Sequence, residues 1–457
     1  MGIETVWTMM LPRRQGRISR RRFLKWCVAL AASIVAAGCK RADTCQETLA
    51  RPTLTPSPTG LWAGASALTI TPDLAAGGKI WLAGFDNNRP ATGVHDDLWV
   101  RALALSDGAT TWALAACDLI GLTRADVLVV AALLAARGQQ PHGLIVHCSH
   151  THSGPDTLGL WGRNYISSGI NKKYQRWLEE RIAAAVQAAI ADLRPARVRA
   201  ALGEVRGWMR NSRHAGLLDT AFPCLVAESP EGKPIATLVN IGCHPEVLWS
   251  QNQLITSDYP HYLRAKLEAD GWGTAIYTSA DLGGLVTPQV PEHTFAQAQA
   301  MGEDLAEQAA SILRDAPVIQ GAFRHASQIF TVPLDNPLFQ AARLLGLIHP
   351  RIAKGVWPTS AETVTSLTTL GPIAILGCPG EVSPDLGKEL RQMLPGEIPF
   401  LIGLANDELG YIIPEADFRR PANYLNPGKS YVESMSMGPR TGTLLQAAVR
   451  ELVQRWE

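Results

Sequence analysis

Short apolar runs that end in polar or turn-forming residues alternate along the chain with longer segments of helical periodicity. Apolar runs of this length predict buried strands, and the longer segments predict helices. The predicted strands are 61–71, 98–105, 111–120, 144–146, 197–202, 235–243, 274–279, 330–332, 363–369, 372–376 and 399–404. The predicted helices are 124–137, 172–193, 261–269, 294–314, 384–393 and 438–456. This alternation predicts an α/β fold in which mixed or stacked sheets are flanked by helices.

The first 39 residues predict a targeting segment. The segment 19–25, SRRRFLK, is typical of a twin-arginine export signal, and the apolar region 26–38 that follows is too short to span a membrane. The region ends at Cys39, in a context that resembles a bacterial lipoprotein cleavage site. We therefore expect a lipid on Cys39 to anchor an exported protein in the cell envelope. A periplasmic or secreted protein and an uncleaved anchor are the alternatives.

The rest of the composition limits the class of protein. Residues 40–60 are rich in Pro, Thr and Ser, which predicts a tether, and 61–457 then form one folded domain. A net charge of +1 gives no reason to expect a nucleic-acid partner. The cysteines inside the predicted domain lie in apolar runs without a CxxC pair, so we expect buried apolar side chains and no cysteine zinc site.

Side chains suited to metal binding follow four of the predicted strands. His150 and His152 follow the first, and on an extended backbone this spacing places both on the same side. His244, Glu381 and Tyr411 follow three later strands. Two histidines and one carboxylate are a common ligand set for catalytic zinc. The pattern predicts a metal site at the carboxyl ends of the strands; a chance histidine cluster, and helix stabilisation by Glu381, are the alternative interpretations.

Several sequence blocks occur in the order typical of neutral/alkaline non-lysosomal ceramidases. They are SHTHSGP at 149–155, CHPEV at 243–247, SDYP at 257–260, GGLVTP at 283–288, PGE at 379–381 and NDELGYIIP at 406–414. The opening segments AGASALTITP and GVHDDLWVRALAL are also similar to that family. The resemblance extends over 61–457 and implies a ceramidase-like zinc hydrolase domain.

This resemblance implies a zinc-dependent amidase that splits the N-acyl bond of ceramide, or of a ceramide-like lipid, into a sphingoid base and a fatty acid. By position in the blocks, the ligands of Zn²⁺ would be His150, His244, Glu381 and Tyr411. His152 would lie beside them and contact the substrate or the developing oxyanion. Tyr411 could instead donate a hydrogen bond to that oxyanion. Either Glu381 or His152 could transfer a proton to the leaving amine.

Three features depart from the family pattern. Thr287 stands where the family has an active-site serine, and it keeps the hydroxyl but adds a methyl group. The region around Arg210 and Arg213, our candidate substrate-binding residues, matches only loosely. The immunoglobulin-like module that follows the catalytic domain in well-known members is not expected here. Thr287 is the candidate for the serine's catalytic role.

Asp118 and Asp258 are candidates for carboxylates that orient metal-binding histidines, with turn or cap roles as the alternative. For His147 we expect a surface or structural role. A fold can keep its metal and change its substrate, so a zinc hydrolase of another N-acyl or ester substrate is the second functional hypothesis. The third is a non-catalytic, lipid-binding envelope lipoprotein. The sequence makes no prediction about oligomeric state.

Overall fold

A computed structural model describes residues 57–347, 359–420, 424 and 426–456. The predicted signal segment, Cys39 and most of the predicted tether lie outside these residues. The described residues belong to one compact unit, Pro52–Glu457. Among them, we find no helix with the length and apolar character needed to cross a membrane.

The strands are numbered in chain order. They are β1 (Trp62–Thr69), β2 (Gly93–Val94), β3 (Trp99–Ser106), β4 (Thr111–Cys117), β5 (Gly143–Cys148), β6 (Arg194–Pro195), β7 (Arg197–Glu204), β8 (Met209–Asn211), β9 (Ala221–Glu228), β10 (Pro234–Ile241), β11 (Leu254–Ile255), β12 (Thr274–Ser279), β13 (Val286–Pro288), β14 (Val318–Ile319), β15 (Phe323–Pro333), β16 (Ser360–Leu370), β17 (Ile373–Gly377), β18 (Glu381–Val382), β19 (Ile398–Ile402) and β20 (Tyr411–Ile412). The helices are α1 (Arg124–Ala136), α2 (Lys172–Ala191), α3 (Tyr259–Ala269), α4 (Phe295–Arg314), α5 (Pro337–Leu344), α6 (Pro384–Met393), α7 (Tyr431–Ser434) and α8 (Thr441–Val453).

Most strands belong to three larger sheets. Their strand orders are β5-β4-β3-β1-β6, β12-β10-β9-β7-β14 and β15-β16-β17-β19. Each sheet contains one parallel pair, and these pairs are β4–β5, β10–β12 and β17–β19. A helix connects the two strands of each pair, so the chain makes a β–α–β unit three times. The carboxyl ends of parallel strands are where open α/β sheets collect their functional side chains.

The three sheets share one central core. Trp112 of β4, Leu225 of β9 and Phe400 of β19 belong to the same buried apolar cluster. Helices cover the outer faces, with α1 and α2 in contact with the first sheet, α3 and α4 with the second, and α6 and α8 with the third. The predicted α/β fold of stacked, mixed sheets flanked by helices is confirmed.

Several element boundaries differ from the prediction. Strand β9 was not predicted although it is a buried apolar run, because Pro223 lies inside it and a proline argues against a central strand. Helix α5 was also missed, although Asn336 caps it with bonds to two backbone N–H groups and Pro337 begins it. Strand β15 runs well beyond the predicted 330–332, because its outer face is polar and hides the apolar pattern. The five described cysteines are buried, as predicted, and none of them forms a disulfide among the described residues.

Candidate metal centre

The side chains that follow the parallel strands meet at one place in the interior. His150 lies two residues beyond β5, His244 three residues beyond β10, and Glu381 follows β17. Their relative exposures are 5%, 2% and 5%. The three β–α–β units therefore deliver the predicted ligands to one buried position, although these residues are far apart in sequence.

His150, His244 and Glu381 bring three potential ligand atoms together. Glu381 Oε2 lies 3.5 Å from His150 Nε2 and 3.2 Å from His244 Nε2. The two Nδ1 atoms lie 2.6 Å and 2.7 Å from the backbone carbonyls of Ile120 and Val286. Since a carbonyl only accepts, each Nδ1 donates, and Nε2 can offer its lone pair to a metal. Ligands bound to a tetrahedral zinc are about 3.3 Å apart, so the spacing fits.

The charges in this cluster suit a cation. Burial lowers the pKa of His150 to about 3, so its imidazole is neutral. Burial also acts to lower the pKa of His244, but the hydrogen bond with Glu381 and the charges of Glu246 and Glu381 outweigh it and raise that pKa. In the same way, burial opposes ionisation of Glu381, but His150 and His244 lower its pKa. The proton shared by His244 and Glu381 is one that a metal cation would displace.

His152 is the third histidine of this cluster. The candidate ligand atoms of His150, His152 and His244 all lie within 4.8 Å of one another. His152 Nδ1 lies 3.0 Å from Glu246 Oε2, an ion-pair distance without the alignment of a hydrogen bond. His152 Nε2 is buried and has no hydrogen-bond partner in the described part of the chain. Three buried histidines this close together could bind a metal.

Glu246 is a site residue that the sequence prediction missed. Burial acts to raise its pKa, but the charges of His152 and His244 outweigh this and lower the pKa of Glu246 to about 2. A signal was available, because the CHPEV block places this acid two residues after His244. The Thr287 hydroxyl lies in the same region, and its Oγ1 is buried without a hydrogen-bond partner among the residues described.

The backbone at His150 differs from the prediction. Strand β5 ends at Cys148, and His150 has a φ of 67°, so the prediction of an extended chain through His150 and His152 is wrong. The His150 N–H donates to the Leu119 carbonyl at 2.8 Å, which helps to hold this left-handed conformation. A loop therefore brings the two rings to a centroid separation of 5.1 Å. Left-handed conformations of residues other than glycine are concentrated at functional sites.

Tyr411 lies beside Glu381. The two residues are register partners in the parallel β18–β20 ladder, which places their side chains on one face. Burial, followed by the charge of Glu381, raises the pKa of Tyr411 well above its ordinary value. The phenol therefore keeps its proton in this arrangement, as a hydrogen-bond donor requires.

Glu408 lies near the same carboxylate. Its Oε1 accepts a hydrogen bond from the Gly410 N–H at 2.8 Å, while its Oε2 is buried and unpartnered among the described residues. Burial and the charge of Glu381 raise the pKa of Glu408 well above its usual range. The sequence prediction gave this residue no role.

The two candidate arginines have different surroundings. Arg210 is exposed and pairs with Thr287 in the β8–β13 ladder, which places it near the cluster. The Arg213 side chain is largely buried, and its guanidinium lies 3.0 Å from both Asp417 and Glu433. Arg213 thus has two carboxylate partners, and of the two arginines only Arg210 is exposed.

The two candidate orienting carboxylates also have other partners. Asp118 makes a bidentate pair with Arg264 at 2.7 and 2.8 Å. Asp258 caps α3 and accepts from the backbone N–H groups of Val247 and Leu248 at 3.0 and 3.1 Å, which fixes the turn after His244. Asp258 therefore has the alternative role of a helix cap. The imidazoles of His150 and His244 are oriented by the backbone carbonyls of Ile120 and Val286 instead.

A pocket that is partly open to solvent adjoins the cluster. His150 and Glu381 form part of its wall, and the apolar residues that line it are Leu158, Leu160, Trp161, Leu334, Phe339, Met435 and Met437. Asp156 shapes one side, because it accepts hydrogen bonds from the N–H groups of Leu158, Gly159 and Trp161. A polar cluster beside an apolar cavity suits an amphipathic ligand.

Comparison with known proteins supports the fold assignment. Neither a scan against protein-family models nor a search of curated proteins finds a match. Among solved structures, the chain is similar to neutral ceramidase from Pseudomonas aeruginosa, with a TM-score of 0.70 and 17% identity over 86% of this chain and 75% of that one. It is also similar to a ceramidase complexed with C2, with a TM-score of 0.71 and 17% identity over 86% of this chain and 74% of that one. The resemblance to neutral ceramidases is thus confirmed at the level of the fold.

Proposed function

We propose that this protein is a zinc-dependent amidase of lipid substrates and that ceramide, or a ceramide-like N-acyl lipid, is the substrate class. The observation that carries the proposal is that Glu381 Oε2 lies within 3.5 Å of both His150 Nε2 and His244 Nε2, beside an apolar pocket. The shared fold with neutral ceramidases supports the same reaction class.

In this proposal His150, His244 and Glu381 bind the metal, and Tyr411 lies next to it. Two neutral imidazoles and one carboxylate leave zinc with a net positive charge. When bound, zinc supplies Lewis-acid polarisation of the amide carbonyl and acidifies a water molecule. The hydrolysis adds the oxygen of water to the carbonyl carbon, breaks the C–N bond, and releases a carboxylate and an amine that has taken up a proton.

His152 is our candidate for the residue that transfers protons. Its Nε2 is unpartnered among the described residues, and the Glu246 carboxylate lies 3.0 Å from its Nδ1, beside the other ring nitrogen. Glu381 is less suited to this role, because both neighbouring histidines engage its carboxylate. The Tyr411 phenol would donate a hydrogen bond to the carbonyl oxygen as negative charge develops. The Thr287 hydroxyl would orient the substrate.

The apolar wall of the pocket would exclude water and bind a hydrocarbon chain of the substrate. The export signal and Cys39, which were inferred from the sequence alone, would place the enzyme at the cell envelope beside lipid substrates. Incorporation of radiolabelled fatty acid into the wild-type protein, compared with Cys39→Ala, tests this anchor.

The decisive experiment measures metal content and fatty-acid release together. Purified full-length protein, loaded with zinc, is incubated with short-chain ceramide beside His150→Ala. We expect about one zinc per chain and fatty-acid release in the wild type, and loss of both in the variant. Zinc without release from ceramide would redirect the proposal to another N-acyl or ester substrate. Absence of both zinc and hydrolysis would refute the enzyme and favour lipid binding.

A further inference from the structure

Arg343 is a cationic residue in the wall of the otherwise apolar pocket. It lies on α5, four residues after Phe339, and this spacing places both side chains on the same face of the helix. Both residues line the pocket that contains His150 and Glu381. The pocket therefore joins the candidate metal centre to a guanidinium group.

No protein group neutralises Arg343 within the part of the chain that the structure describes. Its Nε is buried and has no hydrogen-bond partner there. The difference from other arginines lies in the carboxylates, because Arg213, Arg264 and Arg391 each bind at least one carboxylate within about 3 Å, although Arg264 Nε also has no hydrogen-bond partner among the described residues. A guanidinium that lines a pocket and has no carboxylate partner among the described residues can bind an anionic group of a ligand in that pocket.

The rest of the pocket does not provide that partner. Its acidic residues are Glu381, which the two histidines engage, and Glu408, whose Oε1 binds the Gly410 N–H. Neither forms an ion pair with Arg343 among the described contacts. In apolar surroundings, a charge-assisted hydrogen bond to an anion is stronger than in water.

We propose that the preferred substrate is an N-acyl lipid whose amine half carries an anionic group, a carboxylate or a phosphate, and that Arg343 binds this group. The inference rests on the proposed amidase function and specifies its substrate. A guanidinium presents its donors in a planar fork that matches both carboxylate and phosphate oxygens. Arg343 is thus a specificity residue, while the amide is hydrolysed at the metal centre as described above.

The test compares matched substrates that differ only in the negative charge. One pair is a short-chain ceramide and the same ceramide bearing a 1-phosphate, and the other is N-lauroylglycine and N-lauroylglycinamide. Fatty-acid release is measured for the full-length wild type, Arg343→Gln, Arg343→Lys and the matched control Arg176→Gln. Arg176 is an exposed arginine on α2 and does not line the pocket, so its substitution changes the net charge equally.

For at least one pair, we expect the wild type to show a kcat/KM about 10-fold or more higher for the anionic member, mainly through KM. Arg343→Gln should lower kcat/KM for the anionic substrate about 10- to 100-fold and change that for its neutral partner less than about 2-fold, as expected for loss of one charged hydrogen-bonding group. Arg343→Lys should recover part of the preference. The pair that responds identifies the anion as carboxylate or phosphate.

Binding of the same four compounds to the metal-free wild type and Arg343→Gln, measured by titration calorimetry, separates this inference from the proposed function. Tighter binding of the anionic member that Arg343→Gln removes supports the inference even if no compound is hydrolysed, an outcome that would refute only the amidase. Equal binding and equal turnover of both members of each pair would overturn the inference. A uniform loss for all substrates in Arg343→Gln would also overturn it, since that result indicates a structural role.

Discussion

His147 and His152 lie five residues apart, yet the fold uses them in opposite ways. His147 is fully buried, its Nδ1 donates to the Gly403 carbonyl at 2.7 Å, and its Nε2 accepts from the Ser279 N–H at 3.1 Å. His152 is almost as buried, but its Nε2 has no hydrogen-bond partner in the described structure. One imidazole has both nitrogens paired with backbone, and the other has a nitrogen available for a ligand.

This difference indicates a structural role for His147 and a ligand-binding role for His152. A buried polar group with all of its hydrogen bonds stabilises a fold, whereas an unpaired one is unfavourable unless a ligand completes it. His147 joins β5 to β12 and to the residue that follows β19, so it connects all three larger sheets. His152 instead lies with His150 and His244, where the carboxyl ends of the strands meet. The comparison predicts that substitution of His147 lowers the stability of the fold, whereas substitution of His152 lowers catalytic activity.

The largest effect is expected from removing a metal ligand. His244→Ala or Glu381→Ala should abolish stoichiometric zinc binding and lower kcat/KM at least about 1,000-fold, because the metal contributes several kcal/mol to transition-state stabilisation. Chelation of the wild type should have the same effect and be reversed by added zinc. Elemental analysis and fatty-acid release measure these changes.

His147→Ala is the matched control for that experiment. It should keep zinc and lower the thermal midpoint, since it removes two buried hydrogen bonds and leaves a cavity, together worth about 3 kcal/mol. Loss of zinc in His147→Ala, with its stability unchanged, would contradict the comparison.

His152→Gln should leave zinc bound and lower kcat about 100- to 1,000-fold, as expected for loss of a proton-transfer or oxyanion-stabilising group. Glu246→Gln should reproduce part of this loss, because Glu246 lies 3.0 Å from His152 Nδ1. Kinetics combined with metal analysis distinguish this result from ligand loss. If His152→Gln instead removes zinc, His152 is a ligand.

His147 also predicts a pH dependence of stability. Burial lowers the pKa of His147 to about 4 from 6.5, so between these values the unfolded chain binds more protons than the folded one. The stability that His147 contributes is therefore fully present above pH 6.5 and is lost as the pH falls to about 4. This loss amounts to about 3 kcal/mol. Thermal unfolding of His147→Phe, compared with the wild type across pH 4 to 7, should show a flatter profile. Parallel profiles would refute this assignment.

Thr287 is expected to give the smallest effect. Its hydroxyl is buried and unpartnered among the described residues, so Thr287→Val should lower kcat/KM about 10-fold if the hydroxyl orients substrate. Thr287→Ser should keep activity within about 3-fold, because the hydroxyl remains. A loss of about 1,000-fold in Thr287→Val would instead indicate direct attack by the hydroxyl.

Sequence reasoning identified the main elements and several site residues, but not their contacts. The apolar runs before His150, His244 and Glu381 predicted strands, because a buried strand requires continuous apolar side chains whatever its neighbours. Glu246 and Arg343 were missed because a single charged residue in a loop or a short helix looks the same whether it faces solvent or a cavity. The left-handed backbone at His150 was missed for a related reason, since it depends on a hydrogen bond to the distant Leu119 carbonyl.

The sequence by itself determined the α/β class, the order of the strands and helices, and the set of histidines and carboxylates that follow the strands, because hydrophobic periodicity and residue chemistry are local properties. Only the tertiary structure decided which of these side chains meet. In the folded protein both nitrogens of His147 bond backbone groups, and Arg213 forms ion pairs with two carboxylates. His152 Nε2 and Arg343 Nε have no hydrogen-bond partner among the described residues. The physical reason is that burial and hydrogen-bond satisfaction arise from contacts between strands and loops that are distant in the chain.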